Sequence, residues 1–559
     1  MNKQEAMQPI IGREQIHRAQ VILNRYKEGK ANLERRVVDN EQWYKLRHWE
    51  CMRGHGKNQV EPTSGWLFNA IASKHADVMD NFPSPNVLPR EEGDQEEAKL
   101  LGSILPVVLE QSEFEEVYDE VNDYKLKTGT GIYGVFWDPS GSGGLGDVAI
   151  KKVDILNLFW ESGITDIQQS ANVFHIQLVN NQVLREQYPQ LASKFAGPPS
   201  EPIGSKYLYD DRVDTENKAT VVEVYYHKRG VLHYCKFVGD QVLFATENQT
   251  EPQPDADGNV LKAPMAETGL YDHGRYPYEF DPLFPIEGSP CGYGYVDVCR
   301  SPQTEIDLRK TSFVRNAQVG ATPRFFSRQD GAVNEEEFLN LTKPIVHVAG
   351  NLGEDSLRQI PFRGLDGVYV SLLDRTIDEL RQTSGNTETS TGNVSAGVTA
   401  ASAIAALQEA SGKGSRDTLR SSYRSFGRIV ELCVERIRQF SDLPRKFRIL
   451  GSFGAEEFVS YDNSRLLPVS QGEAFGQDMG FRKPVFDIRI LAQKKNSYTR
   501  VTQNELALQL YQLGFFDPNR WAEARECLEM MDFEGKDVLL RRLSENASRA
   551  VPMEAGAAW

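Results

Sequence analysis

A long amphipathic segment near the middle of the chain limits the folds that this sequence can adopt. Between 400 and 440, apolar residues recur at alternating spacings of three and four, at Leu419, Tyr423, Phe426, Val430, Cys433 and Ile437. This spacing places them on one face of an α-helix. A helix over the whole of 400–440 would be about 60 Å long. We therefore expect a buried core along this face and a kink near Gly412 and Gly414.

The segment before this helix has the composition of a flexible loop. Residues 383–399, TSGNTETSTGNVSAGVT, contain eight Ser or Thr residues and three glycines. Glu388 is the one charged residue in the segment, although a quarter of the whole chain is charged. A segment rich in glycine and small polar residues has little to bury and favours many conformations. We therefore predict a loop that leads into the long helix.

Two shorter helical patterns come before the loop and enclose a small mixed segment. They cover 301–318 and 366–382, so each helix would be about 25 Å long. The segment between them, 319–365, contains short strand-like pieces around an acidic stretch. Ser301 and Pro302 fit the cap and the first position of the earlier helix. The pattern predicts a helical stalk with a small lobe at its tip.

Strand and helix patterns alternate in the rest of the chain, which indicates the α+β class. Helices are predicted at 12–50 and 95–127, and a proline-rich connector is predicted at 80–94 between them. From 130 to 250 the apolar period changes to two, which favours strands. Strand signals return at 446–460 and 484–492, so β structure is expected on both sides of the helical centre. The pattern from 501 onwards is helical.

Charge and cysteine content argue against several classes of protein. The net charge is -16, the wrong sign for a protein that grips DNA through its phosphates. The N-terminus lacks the apolar core of a signal peptide, and no apolar run reaches the ~18 residues of a membrane span. We therefore expect a soluble protein made inside a cell. The six cysteines are far apart and are predicted to be buried thiols, at Cys51, Cys235, Cys291, Cys299, Cys433 and Cys527.

Three glycine-rich segments resemble nucleotide-binding motifs only by their letters. Residues 129–134 match G-x-G-x-x-G, but they follow a helix and precede a strand, which is the reverse of a dinucleotide site. Residues 141–146, GSGGLG, fit a hairpin turn with positive φ. Residues 412–415 resemble the end of a Walker motif, but Leu407 replaces its first glycine. No nucleophile elbow or paired histidine motif is found, so we predict no enzymatic activity, no metal and no cofactor.

Four arginines on the long helix form the sharpest charged pattern in the chain. They recur at every fourth position, which places them along one side of the helix, at Arg416, Arg420, Arg424 and Arg428. We expect salt bridges with an acidic surface, either of this chain or of an adjacent subunit. Contact with DNA is the alternative interpretation.

The order of these elements resembles that of the portal proteins of tailed bacteriophages, the head–tail connectors. Three segments carry the resemblance: VDVCRSPQTEIDLRKTSFVRNAQ before the small lobe, LLDRTIDELRQTSG after it, and GNVSAGVTAASAIAALQEASGKGS at the start of the long helix. The match in organisation is good over 295–440 and looser over most of the rest. The chain is therefore identified as similar to this family.

The resemblance implies a portal-type fold with named parts. These are an N-terminal wing region (1–300), a first stem helix (301–318), a clip (319–365), a second stem helix (366–382), a tunnel loop (383–399), a long wing helix (400–440), C-terminal wing strands (441–500) and a helical crown (501–559). Family members form dodecameric rings at one capsid vertex, where they act in DNA packaging and ejection. The implied location is the virion, and the host cytoplasm during assembly.

The resemblance also implies partners and contact residues. The partners are further copies of the chain, the terminase large subunit, adaptor and neck proteins, major capsid and scaffolding proteins, and double-stranded DNA held by weak contacts, with no membrane. The tunnel loop residues expected in the channel are Asn386, Thr387, Glu388, Thr389, Ser390, Thr391, Asn393 and Ser395. In the clip, Glu335, Glu336 and Glu337 are expected to face the terminase. The competing interpretations are a passive linker for the loop and a solvated turn for the glutamates.

Two other functions remain open at this point. Another structural virion component, such as a neck or capsid protein, could share the acidity and the α+β composition. A phage nucleic-acid enzyme is a weaker alternative, because it would need a carboxylate metal cluster or a complete Walker motif.

Overall fold

The computed structural model describes residues 10–52, 61–194, 216–254, 260–322, 325–327, 334–340, 347, 357–362, 364–386, 413–450, 456–470, 473–474, 477–478, 481–494, 508–514, 524–526, 528 and 539. Its helices are α1 (Arg13–Tyr44), α2 (His48–Cys51), α3 (Trp66–Met79), α4 (Gln95–Gln111), α5 (Phe114–Thr128), α6 (Gly141–Gly144), α7 (Asn181–Gln187), α8 (Met265–Thr268), α9 (Tyr295–Ala321), α10 (Glu335–Leu339), α11 (Gly367–Ser384) and α12 (Lys413–Phe440).

The strands fall into several antiparallel sheets. They are β1 (Asn81–Pro89), β2 (Thr130–Asp138), β3 (Asp147–Lys152), β4 (Leu158–Trp160), β5 (Asn172–Asn180), β6 (Lys218–Lys228), β7 (Val231–Val238), β8 (Gln241–Ala245), β9 (Gln253–Pro254), β10 (Val260–Lys262), β11 (Tyr278–Pro282), β12 (Phe284–Pro285), β13 (Gly292–Tyr293), β14 (Phe325–Ser327), β15 (Leu357–Gln359), β16 (Arg445–Leu450), β17 (Glu456–Tyr461), β18 (Val469–Ser470), β19 (Glu473–Ala474), β20 (Gln477–Asp478), β21 (Phe481–Arg482) and β22 (Phe486–Lys494). The mixture confirms the predicted α+β class.

The largest sheet has the order β4-β5-β6-β7-β8, and its strands have the predicted period of two. Helix α1 covers one face of it, with a core that includes Ile16, Leu23, Tyr26, Phe159, Phe174 and Phe237. The β6–β7 hairpin turns at Arg229 and Gly230, whose φ angles are 54° and 81°. Positive φ at both positions is the geometry of a two-residue turn that matches the twist of the strands.

A second sheet, with the order β11-β2-β3, lies beneath the long helix. Helices α4, α5 and α12 share one core with this sheet, which includes Leu101, Phe114, Val121, Tyr133, Val135, Phe426, Val430, Cys433 and Ile437. The apolar stripe of α12 is therefore buried as predicted, with Leu419 packed at its border. The part of the predicted helix at 400–412 lies outside the described residues. The GSGGLG segment joins β2 to β3 and has positive φ at Gly143, Gly144 and Gly146, as a turn requires.

The connector predicted at 80–94 is wrong, because Asn81–Pro89 forms strand β1 and pairs with β22 over nine residues. Its prolines, Pro83, Pro85 and Pro89, are all at odd positions. Alternate residues of a strand direct their N–H groups to the same side. Proline has no backbone N–H, and the three positions that lack this donor can therefore all lie on the side away from β22. Strand β1 brings the N-terminal half of the chain together with the C-terminal strands, as expected for a threaded fold.

Two helix boundaries also differ from the prediction. Helix α9 begins at Tyr295 rather than 301, and the backbone N–H of its cap residue Gly294 donates to Asp297 Oδ2 at 2.9 Å. Ser301 and Pro302 therefore lie inside the helix, although this pair is typical of a helix start. The helix predicted at 95–127 is two helices that break at Glu113, where φ is 52°. None of the described helices is long and apolar enough to cross a bilayer.

Candidate functional site

Helices α9 and α11 lie side by side and run in opposite directions, joined by the segment that contains β14, α10 and β15. Arg309 of α9 donates to the Leu372 carbonyl of α11 at 2.7 Å and also contacts the Thr376 hydroxyl. We call this pair the helical hairpin. Its lower half, the root, packs on α1 and α3 through Trp43, Leu67, Ile71, Val296, Cys299, Ile306 and Leu380. Both helices predicted at 301–318 and 366–382 are present, but they extend over Tyr295–Ala321 and Gly367–Ser384.

A buried polar network fixes the root. The Asp307 carboxylate lies 2.5 Å from Nδ1 of His48, and both side chains are completely buried. Nε2 of His48 lies 3.0 Å from the Trp43 carbonyl, so each ring nitrogen has a polar partner. Asp307 also accepts from the Ser64 backbone N–H at 2.9 Å, and Gln303 donates to the Ser64 carbonyl at 2.8 Å. The hairpin is therefore attached to the N-terminal part of the chain by buried hydrogen bonds.

The far half of the hairpin has the opposite character. Every residue from 367 to 372 is exposed, including Val368 (73%), Tyr369 (51%) and Val370 (52%). Successive helical positions point about 100° apart. These side chains therefore surround the helix and do not form one face. Leu308 and Val319 of α9 add further exposed apolar surface. An exposed apolar region of this kind indicates a surface that another molecule covers.

The segment predicted as a loop from 383 begins as part of the hairpin. Residues 383 and 384 complete α11, and Gly385 caps it with φ of 71°. Asn386 is buried, and its amide donates to the Ala70 carbonyl of α3 at 3.1 Å. The Gly385 carbonyl accepts from Lys74 at 3.4 Å. Asn386 therefore anchors the segment and differs from the exposed contact residue that was expected.

The other predicted loop residues lie outside the described part of the chain. They are Thr387, Glu388, Thr389, Ser390, Thr391, Asn393 and Ser395.

The predicted clip glutamates lie on the short helix α10. Asn334 caps this helix by accepting from the Glu337 backbone N–H at 3.2 Å. Glu336 is exposed, whereas Glu337 is partly buried and contacts Nδ1 of His347 at 2.9 Å. The side chain of Glu335 is outside the described part. Glu336 is therefore the one of the three whose described side chain is fully available to a partner.

Arg424 and Arg428 of α12 lie beside the edge strand β11. Arg428 pairs with the buried Glu279 at 2.9 Å. Burial raises the pKa of Glu279 to about 8, and Arg428 opposes this shift. Arg420 and Arg424 are exposed, and the side chain of Arg416 is outside the described part. The structure thus brings Arg428 to an acidic partner within the chain, as one of the two interpretations expected.

A buried ion pair attaches α12 to the core. Nζ of Lys125 lies 2.7 Å from Asp281 Oδ1 and 2.8 Å from the Ser422 hydroxyl. Burial lowers the pKa of Lys125, and the attraction of Asp281 counters this. The contacts join α5, β11 and α12. Among the described residues, no group of His, Cys, Asp or Glu side chains has the arrangement of a metal site.

Comparison with known families decides the identity of the chain. The family model of the phage P22-like portal protein matches residues 76–558, which is most of the chain. The chain belongs to this portal protein family. In the comparison with curated proteins, none matched.

Membership explains the general character of the molecule. Phage portal proteins are head–tail connectors of the virion and take part in genome packaging, and the family is structural rather than catalytic. The matched range includes the hairpin, α12 and most of the sheets. The resemblance deduced from 295–440 is therefore confirmed at the level of the family.

Several features of this portal protein could not be found from its sequence. His48 and Asp307 are far apart in the chain and belong to no motif, and the same holds for Glu279 and Arg428. The one available signal for Asn386 was its place directly after a glycine that can end a helix.

Proposed function

We propose that the chain is one subunit of a dodecameric ring at one vertex of the capsid, and that double-stranded DNA enters and leaves through the ring. The exposed apolar far half of the hairpin carries this proposal, because such a surface requires neighbours on more than one side. Identical subunits that contact each other head to tail close into a ring when the rotation permits. In this assembly the hairpin is the stem, extending from 295 to 321 and from 367 to 384.

Imaging of the purified protein tests the proposal most directly. Negative-stain microscopy should show stalked rings with a central hole, and native mass spectrometry should give the number of subunits. A solid shell or a plain tube would instead favour another structural role in the virion. Hydrolysis of ATP by the purified chain would contradict a role that leaves force generation to the terminase.

The charge of the chain supports a lining that lets DNA pass. A net charge of -16 weakens attraction to phosphate, which would otherwise hold the duplex in place. In our proposal, residues 387–399 form a tunnel loop that enters the channel, and Ser and Thr hydroxyls make weak, exchangeable contacts with DNA. The anchored Asn386 sets the point where the loop begins.

Shortening the loop tests its role. Replacing 387–397 by a short Gly-Ser linker keeps the anchor at Asn386 intact, so we expect rings to form and to bind terminase. Packaging or retention of full-length DNA should fall, as measured by the DNA content of particles. Normally filled, infectious particles would show that the loop is only a connector.

We further propose that the segment between α9 and α11 is the clip and docks the terminase, and later the adaptor and neck proteins. Its position at the tip of the stem and the acidic helix α10 support this role. Reversing the charges of Glu335, Glu336 and Glu337 should weaken terminase binding while rings remain intact. Unchanged affinity would remove these residues from the interface. The flanking sheets would form the wing, against which major capsid and scaffolding proteins assemble, and 501–559 the crown.

A further inference from the structure

The layer formed by the β11-β2-β3 sheet and its two helices has edges of different charge. Glu279, Tyr133 and Lys152 are directly opposite one another on the three strands, so they share one face of the sheet. At the β11 edge, Glu279 pairs with Arg428 of α12. At the β3 edge, Lys152 lies 3.8 Å from Glu120 of α5. The part of α12 around Arg428 and the part of α5 around Glu120 therefore border opposite edges of the same layer.

The edge bordered by α12 presents arginines, and we call it the basic edge. Arg424 and Arg428 line a shallow cavity together with Glu279 and Asp166. Arg428 is satisfied by Glu279 within the subunit. Arg420 and Arg424 are exposed, and neither has an ion pair among the residues that the structure describes. Two guanidinium groups one helical turn apart thus remain available for a partner.

The edge bordered by α5 presents carboxylates, and we call it the acidic edge. A groove beside β3 is lined by five carboxylates and two lysines: Glu113, Glu116, Glu120, Asp138, Asp147, Lys151 and Lys152. Glu120 is close to Lys152, as described above. Glu113 and Glu116 are exposed and have no ion pair within the described part of the chain. Their spacing of three residues over the start of α5 is close to that of the two arginines on α12.

We propose that the basic edge of one subunit docks against the acidic edge of the next subunit around the ring. This inference rests on the proposed ring, which a head-to-tail contact must close. Such a contact requires two different surfaces on opposite sides of each copy, and these edges lie on opposite sides of one layer. Their opposite charges favour this orientation and disfavour contacts between like edges. The occupant is therefore a second copy of this chain, with Arg420 and Arg424 facing Glu113 and Glu116.

Charge reversal provides the test, with the full-length chain and assembly measured by native mass spectrometry over a range of protein concentrations. We expect R420E/R424E and E113R/E116R each to raise the concentration for half-assembly by about tenfold or more, because like charges would then face each other. The chain that carries all four substitutions should assemble nearly as the wild type does. An equimolar mixture of the two reversed proteins should also form rings, with the two kinds of subunit alternating.

A matched control reverses two charges elsewhere. R18E/R25E on the exposed side of α1 makes the same change in net charge as R420E/R424E and should leave assembly unaffected. Circular dichroism of each variant verifies that it is folded, and R420A/R424A provides a milder version with a smaller effect.

Three outcomes would overturn the inference. If the charge-reversed variants assemble as the wild type does, the inference is wrong, and DNA or another protein would be the partner of Arg420 and Arg424. Failure of the fourfold variant to recover would show that the two edges do not face each other. If the wild-type chain itself forms no ring, the proposed function fails as well, so the two failures can be distinguished.

Discussion

The two halves of the helical hairpin differ in how completely contacts within a single subunit bury their side chains. At the root, Asp307 is fully buried and its two oxygens contact His48, Ser64 and Gln303. In the far half, Val368 and Val370 are exposed on a helix that has apolar side chains all around it. The root is therefore complete within one chain, whereas the far half is complete only in an assembly. Substitutions in the root should change folding, and those in the far half should change association.

The largest expected effect is the loss of the buried contact between Asp307 and His48. Asp307→Ala removes the buried acceptor of His48, the Ser64 N–H and Gln303, and each buried polar group left unsatisfied costs about 1–3 kcal/mol. Denaturant unfolding of the unassembled chain, followed by tryptophan fluorescence, measures this cost. The nearby Trp43, which stacks on His48 at 4.5 Å between ring centroids, makes the signal sensitive to the root.

Asp374→Ala is the matched control, since Asp374 is exposed on α11. Its effect should remain within about 0.5 kcal/mol, as is usual for surface positions. If the two substitutions have equal effects, the root is not the anchor of the hairpin.

A second prediction concerns Glu279, which is itself buried but pairs with Arg428, whose side chain is partly exposed to solvent. Burial raises its pKa from 4.5 to about 8. Below pH 4.5 the residue is protonated in both the folded and the unfolded chain, so this group adds no penalty to folding. As the pH rises towards 8, the unfolded chain loses the proton first, and the free energy of unfolding falls.

Glu279→Gln removes this titration while it keeps a hydrogen-bonding side chain of similar size. The wild type should therefore lose stability relative to Glu279→Gln between about pH 5 and pH 8, and the difference should become constant above that range. Glu431→Gln on the exposed side of α12 is the control for the loss of one carboxylate. A difference that does not vary with pH would mean that Glu279 is ionised throughout.

The sequence predicts the interior of this molecule better than its contacts. Long periodic patterns determine α12 and the strands from 130 to 250, because burial of a face requires regular spacing. Local rules failed where long-range packing decided the outcome. Prolines suggested a connector at 80–94. In the structure this segment pairs with β22, because prolines confined to one side of a strand leave the hydrogen bonds on its other side intact. Ser301 and Pro302 suggested a helix start, but the packing of Val296 and Cys299 extends α9 to Tyr295.

The residues of the candidate site were predictable only in part. The arginine spacing on α12 was visible, whereas its partner Glu279 is 149 residues away in sequence. The anchor of Asn386 depends on the backbone of α3, more than 300 residues earlier. Such contacts follow from the fold of the entire chain and leave no local signal.

Substitutions in the far half of the hairpin should have the smallest effect on folding, and they distinguish the two halves most clearly. Val368→Ser together with Val370→Ser changes two positions that are already largely exposed, and valine and serine have similar helix propensities. The free energy of unfolding of the single chain should therefore change by no more than about 0.5 kcal/mol. Ring formation should fall sharply, because the surface that neighbours cover has lost apolar area. The number of rings seen by negative stain at a fixed protein concentration measures this loss.

Val21→Ser is the matched control, because Val21 is 58% exposed on α1 and lies outside the hairpin. Its substitution should alter neither stability nor assembly. Rings that form normally with serine at 368 and 370 would mean that the far half is covered by a different partner or left in solvent. In that case the root and the far half would differ only in how deeply their side chains are buried. A chain that stays folded but no longer forms rings would instead establish that the hairpin has one half for folding and one half for association.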